Sequence, residues 1–277
     1  MYGSILPSEV KARMIEERLG FASSTRIADW LGCTAADVAA RLRSVRESGD
    51  LVCAMNGGWV LAQGGQAFPS EYLDSMMRHL GCRYYLGGHF AAGSLGMHTH
   101  GIAKVTVMVS KPLKNRKIVG SQYSFVHRRN ITAYPTLFKR LDTMAIGPQG
   151  YRISSTATTL FDIVQQGVHY LVANVAGRML EHTEERWAGV APVLNPHYLA
   201  KTSLLYPITI RQRTGHILQH MSDWVDVPFD LEPLHATIPK GTPPTSLFSP
   251  GGGISVAGES YDPVWKIRVD GNLDPDL

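Results

Sequence analysis

The residues able to do chemistry in this 277-residue chain are spaced in ways that leave little chemistry open. His98-Thr99-His100 puts two imidazoles on alternate residues, the spacing that aims metal ligands from one face of a strand. No Asp or Glu stands nearby to complete a set, so a turn with two solvent-facing histidines is the reading taken. His216 and His220 share a helical face at i and i+4, but one pair without a third ligand makes no site. Pro250-Gly251-Gly252-Gly253 lacks the Lys-Ser/Thr that a phosphate-cradling loop requires, and neither G-x-S-x-G nor HExxH occurs. Asp142 is the only acid among residues 104–152, too few carboxylates for a metal-dependent nuclease there. No catalytic residue, metal or cofactor is expected, and the chain is read as a non-enzyme.

The cysteines, Cys33, Cys53 and Cys82, are odd in number and lack CxxC spacing. They read as reduced residues filling small apolar positions of a cytoplasmic protein. The N-terminus has no basic stretch followed by an apolar run, so no signal peptide is expected. No apolar run approaches the ~20 residues of a membrane span.

What remains is the chemistry of charge. The net charge of +4 conceals strong segregation. Residues 1–63 and 64–103 each sum to zero, residues 104–152 carry +9, residues 153–221 carry +1 and residues 222–277 carry −6. The basic block contains Lys104, Lys111, Lys114, Arg116, Lys117, Arg128, Arg129, Lys139 and Arg140. It reads as a surface for nucleic-acid phosphates or another acidic partner; the bland alternative is a solvated face answered by the acidic tail. The absence of interleaved aromatics argues against a single-strand stacking platform.

The elements that carry these residues follow from hydrophobic spacing. Val10, Met14, Ile15 and Leu19 predict a helix capped by Ser8 and ended by Gly20. A second helix is capped by Ser24 or Thr25, buries Ile27, Ala28 and Leu31, and breaks at Gly32. A third begins at Thr34, whose spacing to Asp37 is that of a capping box. Leu51–Met55 and Trp59–Ala62 flank Asn56-Gly57-Gly58, a hairpin signal. Helix, helix, turn, helix, hairpin is the order of a winged helix-turn-helix, expected over residues 8–61 and assigned to a domain of residues 1–66.

In that fold the third helix enters the major groove of duplex DNA. With Val38 at the origin of a helical wheel, Leu42 and Val45 lie within about 40° and form the buried stripe. Ala36, Ala40, Arg43 and Ser44 then face outward, and the two alanines allow close approach to base edges. Arg41 and Arg46 flank that face. Arg26 is a further phosphate candidate, as are the amides of the helix after Thr34. Asn56 and Gly57 form a wing tip for the neighbouring groove or backbone. A protein-docking module is the alternative, since this segment's net charge is zero. Three or four arginine–phosphate contacts alone give only ~10⁻⁴–10⁻⁶ M non-specific affinity, so a regulator needs further contacts.

Ala62–Pro69 reads as a seam. Beyond it a helix is expected over Ser70–Leu80, a strand at Tyr84–Leu86 and a helix from about Gly88 to Leu95. Strands follow at Val105–Val109, Tyr123–His127 and Tyr151–Ile153, then a helix capped by Ser154 or Ser155. Lys111–Lys117 reads as a loop. Helices continue to about Ser222, and a Pro/Gly-rich tail ends in a strand at Trp265–Val269. Strands and helices mix without regular alternation, so the expected class is α+β, with residues 67–277 forming the larger domain and residues 104–152 its basic strand region.

Three stretches carry a family resemblance. Tyr84-Tyr85-Leu86-Gly87-Gly88-His89-Phe90-Ala91-Ala92-Gly93-Ser94-Leu95-Gly96 resembles the strand-then-helix segment of the AbiEi antitoxins of abortive-infection toxin–antitoxin systems. Val105–Val109 with Phe125–Arg128 is similar to that family's paired strands. Ile153–Asp162 is similar to its strand, small cap and Thr-Leu-x-Asp helix. The resemblance covers roughly residues 5–170. It implies a repressor that binds promoter repeats of its own operon, the winged helix holding DNA and the second domain supporting cooperative binding. It also implies counteraction of a toxin resembling nucleotidyltransferases. A winged-helix regulator with a ligand- or partner-sensing second domain, and a DNA-processing enzyme, are the rival readings.

Overall fold

The computed structural model describes residues 7–42, 50–62, 64–97, 104–129, 131, 138–141, 150–167, 175–180, 194–247 and 260–269, the backbone alone for 138–141. The class is mixed α+β, with three sheets among the described residues. Two compact units share the chain: residues 1–86, 103–134 and 139–153 in the first, residues 87–102, 135–138 and 154–277 in the second. The expected boundary at 66/67 falls inside the first unit. No helix among the described residues is long and apolar enough to cross a membrane.

The first unit opens with α1 (Pro7–Glu16), which buries Val10 and Met14. It stops earlier than Gly20. Arg18 takes φ 54° and the Leu19 amide bonds back to the Met14 carbonyl at 2.7 Å, closing the helix with a left-handed residue that is not glycine. Gly20 has another task. A Cβ there would lie 2.0 Å from the Glu71 carbonyl oxygen, so only glycine lets the two backbones pass.

A strand absent from the sequence reading follows, β1 (Phe21–Ser23). Ser23, not Ser24 or Thr25, caps α2 (Ser24–Leu31) by accepting from the Arg26 amide, and Gly32 ends it at φ 58°. α3 (Ala35–Arg41) starts at Thr34 with the expected capping box. Strands β2 (Leu51–Met55) and β3 (Gly58–Leu61) complete an antiparallel sheet in the order β1-β3-β2. Of the turn residues only Gly57 has positive φ, 72°, and the register shifts between Cys53 and Met55. The turn is therefore bulged, not the symmetric two-residue form the Asn-Gly pair suggests. Val10, Met14, Ile27, Val38, Leu42, Leu51, Trp59 and Leu61 form one core. Each such aliphatic side chain contributes ~1.5–3 kcal/mol by leaving water.

The remainder of the unit is built on α4 (Pro69–His79) and a six-stranded sheet. Its strands are β4 (Tyr84–Leu86), β5 (Lys104–Val109), β6 (Arg116–Ile118), β7 (Ser121–His127), β8 (Phe138–Leu141) and β9 (Tyr151–Ser154), in the order β6-β7-β5-β4-β9-β8. β5 and β7 pair in parallel, which the short intervening segment does not suggest. The chain reaches that arrangement by running out through β6 on the far side of β7, so Lys111–Lys117 is part strand. Val105 to Val109 are buried on both faces, as a central strand with a parallel neighbour requires. The buried Tyr72 hydroxyl of α4 meets that of Tyr123 of β7.

The second unit contains α5 (Gly88–Ser94), α6 (Thr156–Gln166), α7 (residues 175–180), α8 (Pro196–Ser203), α9 (Ile208–Trp224) and α10 (Glu232–His235). Ser155 caps α6 through the Thr158 amide. Asp162, buried on α6, accepts from the Tyr206 hydroxyl at 2.7 Å, and the Phe161 and Tyr206 rings stack at 4.8 Å. A small sheet, β10 (Thr245–Ser246), β12 (Ile267–Val269) and β11 (Ser260–Asp262) in that order, is clasped by α9. Gln212 donates to the Pro243 and Trp265 carbonyls, Arg213 to the Ser246 carbonyl, and His216 Nδ1 lies 2.6 Å from Asp262. The Trp265 ring fills the space over Gly215, where a Cβ would lie 2.1 Å from it.

Candidate nucleic-acid interface

α3 begins where Thr34 and Asp37 hold each other. The Thr34 hydroxyl donates to Asp37 Oδ2 at 2.7 Å and accepts from the Asp37 amide at 3.2 Å, while the Thr34 amide donates to the same carboxylate. Those bonds from the Thr34 hydroxyl, then its amide, hold the Asp37 carboxyl below its ordinary range. The N-terminal end of this helix therefore already carries a carboxylate of its own. A phosphate meets it more readily along the flank than end-on.

Along that flank the division of faces is sharp. Val38 and Leu42 are fully buried, Ala36 and Ala40 are exposed, and Arg41 is half-buried one turn beyond Asp37. Methyl-sized side chains on the open face leave the helix backbone approachable. Arg43, Ser44 and Arg46 lie outside the described residues.

Arg26 stands in the first turn of α2, half-exposed. Its guanidinium is 2.7 Å from the Glu17 carboxylate and 5.6 Å from the centre of the Trp30 ring. Exposed pairs of this kind contribute ~0–1 kcal/mol, so exchange of Glu17 for a phosphate is cheap. The Arg26–Trp30 spacing, i to i+4 on a helix, was the sequence signal for that contact. The hairpin tip lies beside the same turn: the Ser24 amide donates to the Gly57 carbonyl at 2.8 Å, and the buried Trp59 indole donates to the Ser24 hydroxyl at 3.1 Å. Arg26, Asn56 and Gly57 are thereby brought together, with Asn56 exposed. At Gly58 a Cβ would lie 2.7 Å from both Phe21 and Met55, which fixes how tightly the hairpin closes on β1.

The second basic cluster divides in two. Parallel pairing sets Val109 opposite His127, so the chain leaving β5 toward Lys111 and the chain leaving β7 toward Arg128 and Arg129 emerge from one sheet edge. Lys114, Lys117 and Arg129 are exposed there or on β6. The others have structural duties. Lys111 donates to the Leu80 carbonyl at 3.3 Å. Arg128 donates to the Tyr85 hydroxyl and lies over that ring. Arg116 reaches from β6 to the Ala54 carbonyl of β2 at 3.0 Å while its guanidinium lies 5.9 Å from the Phe125 ring centre. Charge counting alone cannot separate these anchors from the exposed lysines. The side chains of Lys139 and Arg140 lie outside the described residues.

No family model matches the chain, and no curated protein does. Among solved structures it is similar to the crystal structure of the RV2827C protein from Mycobacterium tuberculosis, at 16% identity over 95% of this chain and 90% of that one, with a TM-score of 0.62. At that identity the likeness is one of fold.

Proposed function

We propose that residues 8–61 act as a winged helix-turn-helix that reads duplex DNA, with α3 in the major groove and the 56–57 hairpin tip on the adjoining backbone or minor groove. The observation that carries this reading is the two-faced character of α3, with Val38 and Leu42 sealed in the core and Ala36 and Ala40 open to solvent. The order α1-β1-α2-α3-β2-β3, with sheet order β1-β3-β2, supports it. Lys114, Lys117 and Arg129 supply the further phosphate contacts that a neutral reading head needs.

The AbiEi resemblance extends the proposal to a transcriptional repressor of its own toxin–antitoxin operon, opposing a nucleotidyltransferase-like toxin without catalysis of its own. The test is fluorescence anisotropy with a labelled duplex carrying the chain's own promoter, against a scrambled duplex of equal length. The expected result is at least a ~10³-fold preference for the promoter at physiological salt. Equal affinity for both duplexes overturns sequence-specific regulation, and strand cleavage with Mg²⁺ overturns the non-enzymatic reading. Co-expression with the neighbouring gene's product separately tests the antitoxin role, through relief of growth arrest.

A further inference from the structure

The register of the six-stranded sheet sets three exposed side chains in one row. Gln122 of β7 stands opposite Lys117 of β6 on one side and opposite Lys104 of β5 on the other. Residues aligned across neighbouring strands project to the same face, and all three are exposed. Neighbouring strands lie ~4.8 Å apart, so the two lysines are anchored roughly 10 Å apart with an amide between them. The alternate residues of β6 turn to the opposite face, where Ile118 is buried and Arg116 reaches the Ala54 carbonyl. Ser124 and Thr106 pair in the next row on the lysine side, and their small hydroxyl side chains leave the ground flat.

The charge of this row is unanswered. None of the three side chains has an ion pair or a hydrogen bond among the described residues, and the sequence holds no Asp or Glu from residue 104 to residue 141. A lysine on an edge strand serves to keep other strands off, which accounts for Lys117 on β6. It does not account for Lys104, which begins β5 in the interior of the sheet. Protein–protein contacts are enriched in aromatic residues and arginine and depleted in lysine. Ammonium groups on flexible stems suit phosphates instead. Tyr123 and Phe125 of β7 are buried on the other face, so no base-stacking platform accompanies the row.

We infer that a DNA duplex lays one backbone across β6, β7 and β5, with phosphates on Lys117 and Lys104 and with Gln122 donating between them. This contact presupposes the DNA-binding reading and extends it, bringing Lys104 and Gln122 into a sequence-independent grip outside the winged helix.

The experiment uses the full chain and the scrambled duplex, with anisotropy followed from ~50 to ~200 mM salt. The paired variant Lys104→Gln, Lys117→Gln is expected to bind more weakly and to lower the salt slope by about 1.8, two phosphates at ~0.9 each. Over that range the wild type then loses about tenfold more affinity than the variant. Lys201→Gln with Lys240→Gln removes the same charge from exposed positions of the second unit and should leave the slope in place. Gln122→Glu should lose affinity while its urea midpoint holds or rises, because opposite charges across a sheet stabilise it. A purely structural role would not separate those two readouts. A slope indifferent to the paired row variant, or lowered equally by the control pair, overturns the row. So does competition by polyglutamate as strong as that by duplex at equal charge, which assigns the row to an acidic protein. Promoter preference is measured separately. Its absence with the slope effect intact would fail the reading head and leave the row standing, and its presence with an unmoved slope would fail the row alone.

Discussion

Replacing Ala40 by glutamate separates binding from folding on one helix. Ala40 is exposed on α3, one turn after the equally exposed Ala36. Glutamate is a good helix former, so the change costs only a few tenths of a kcal/mol in stability. A carboxylate set ~5 Å from a DNA phosphate is repelled by ~1 kcal/mol in bulk-like water and ~3 kcal/mol at the lower effective dielectric of a protein surface. That range is roughly 5- to 150-fold in affinity. Gln165→Glu, an exposed position on α6, adds the same charge elsewhere and serves as the control. Promoter-duplex anisotropy and urea unfolding are measured on all three proteins. The reasoning predicts that Ala40→Glu loses affinity within that range while its urea midpoint stays near wild type and the control keeps both. Unchanged affinity in Ala40→Glu would refute a groove-facing α3, because no other consequence of that substitution is expected.

Four further outcomes follow from the geometry. Thr34→Ala removes the reciprocal bonds with Asp37, and urea unfolding should report a loss of about 1 kcal/mol; an unaltered midpoint would show the cap to be idle. Gly20→Ala drives a methyl, fixed in direction by its own backbone, into the Glu71 backbone carbonyl, and should cost ~1–3 kcal/mol or more by thermal unfolding. Burial pushes the Asp262 carboxyl up, but bonds from His216 and the Trp265 and Val264 amides outweigh it and hold the group below its usual range. Because the folded value is depressed, this stability is present above the unfolded value of ~3.9 and is lost as pH falls through the folded one. Asp262→Asn should therefore flatten the acid limb of the second unit's unfolding, and an identical acid limb would reject the linkage. Lys114→Ala should weaken promoter and scrambled duplex alike and reduce the salt slope by about one; an unmoved slope would mean that Lys114 never meets phosphate.

The parts of the fold legible in the sequence are those decided within a few residues. Thr34 with Asp37 announces a cap, Gly32 a left-handed stop, and Val38 with Leu42 a buried stripe, because each depends only on local backbone geometry. Gly20 misled for a physical reason. Glycine at the end of a helical pattern usually supplies positive φ, yet here Arg18 does so, and Gly20 is small because a residue 51 positions later presses on it. β1 is three residues long and recognisable only through its partner Val60, and the parallel pairing of β5 with β7 is a tertiary choice no local pattern encodes. The same holds for the candidate site. Small outward residues on α3 follow from a helical wheel. The tethering of Arg116 and Arg128, and the approach of Arg152 to Asp74, depend on contacts across tens of residues.

The interleaving of the two units has a consequence for how the protein is made. β4 lies between β5 and β9 in the finished sheet, yet the ribosome delivers residue 86 well before residue 151. At about 5–20 residues per second, several seconds separate the two strands. Throughout that interval the nascent chain carries a half-finished sheet with one central edge bare, and segment 87–102 emerges before either unit has all its pieces. Chaperone occupancy during synthesis is thus expected to peak between the emergence of β4 and β9, a window that selective ribosome profiling can time.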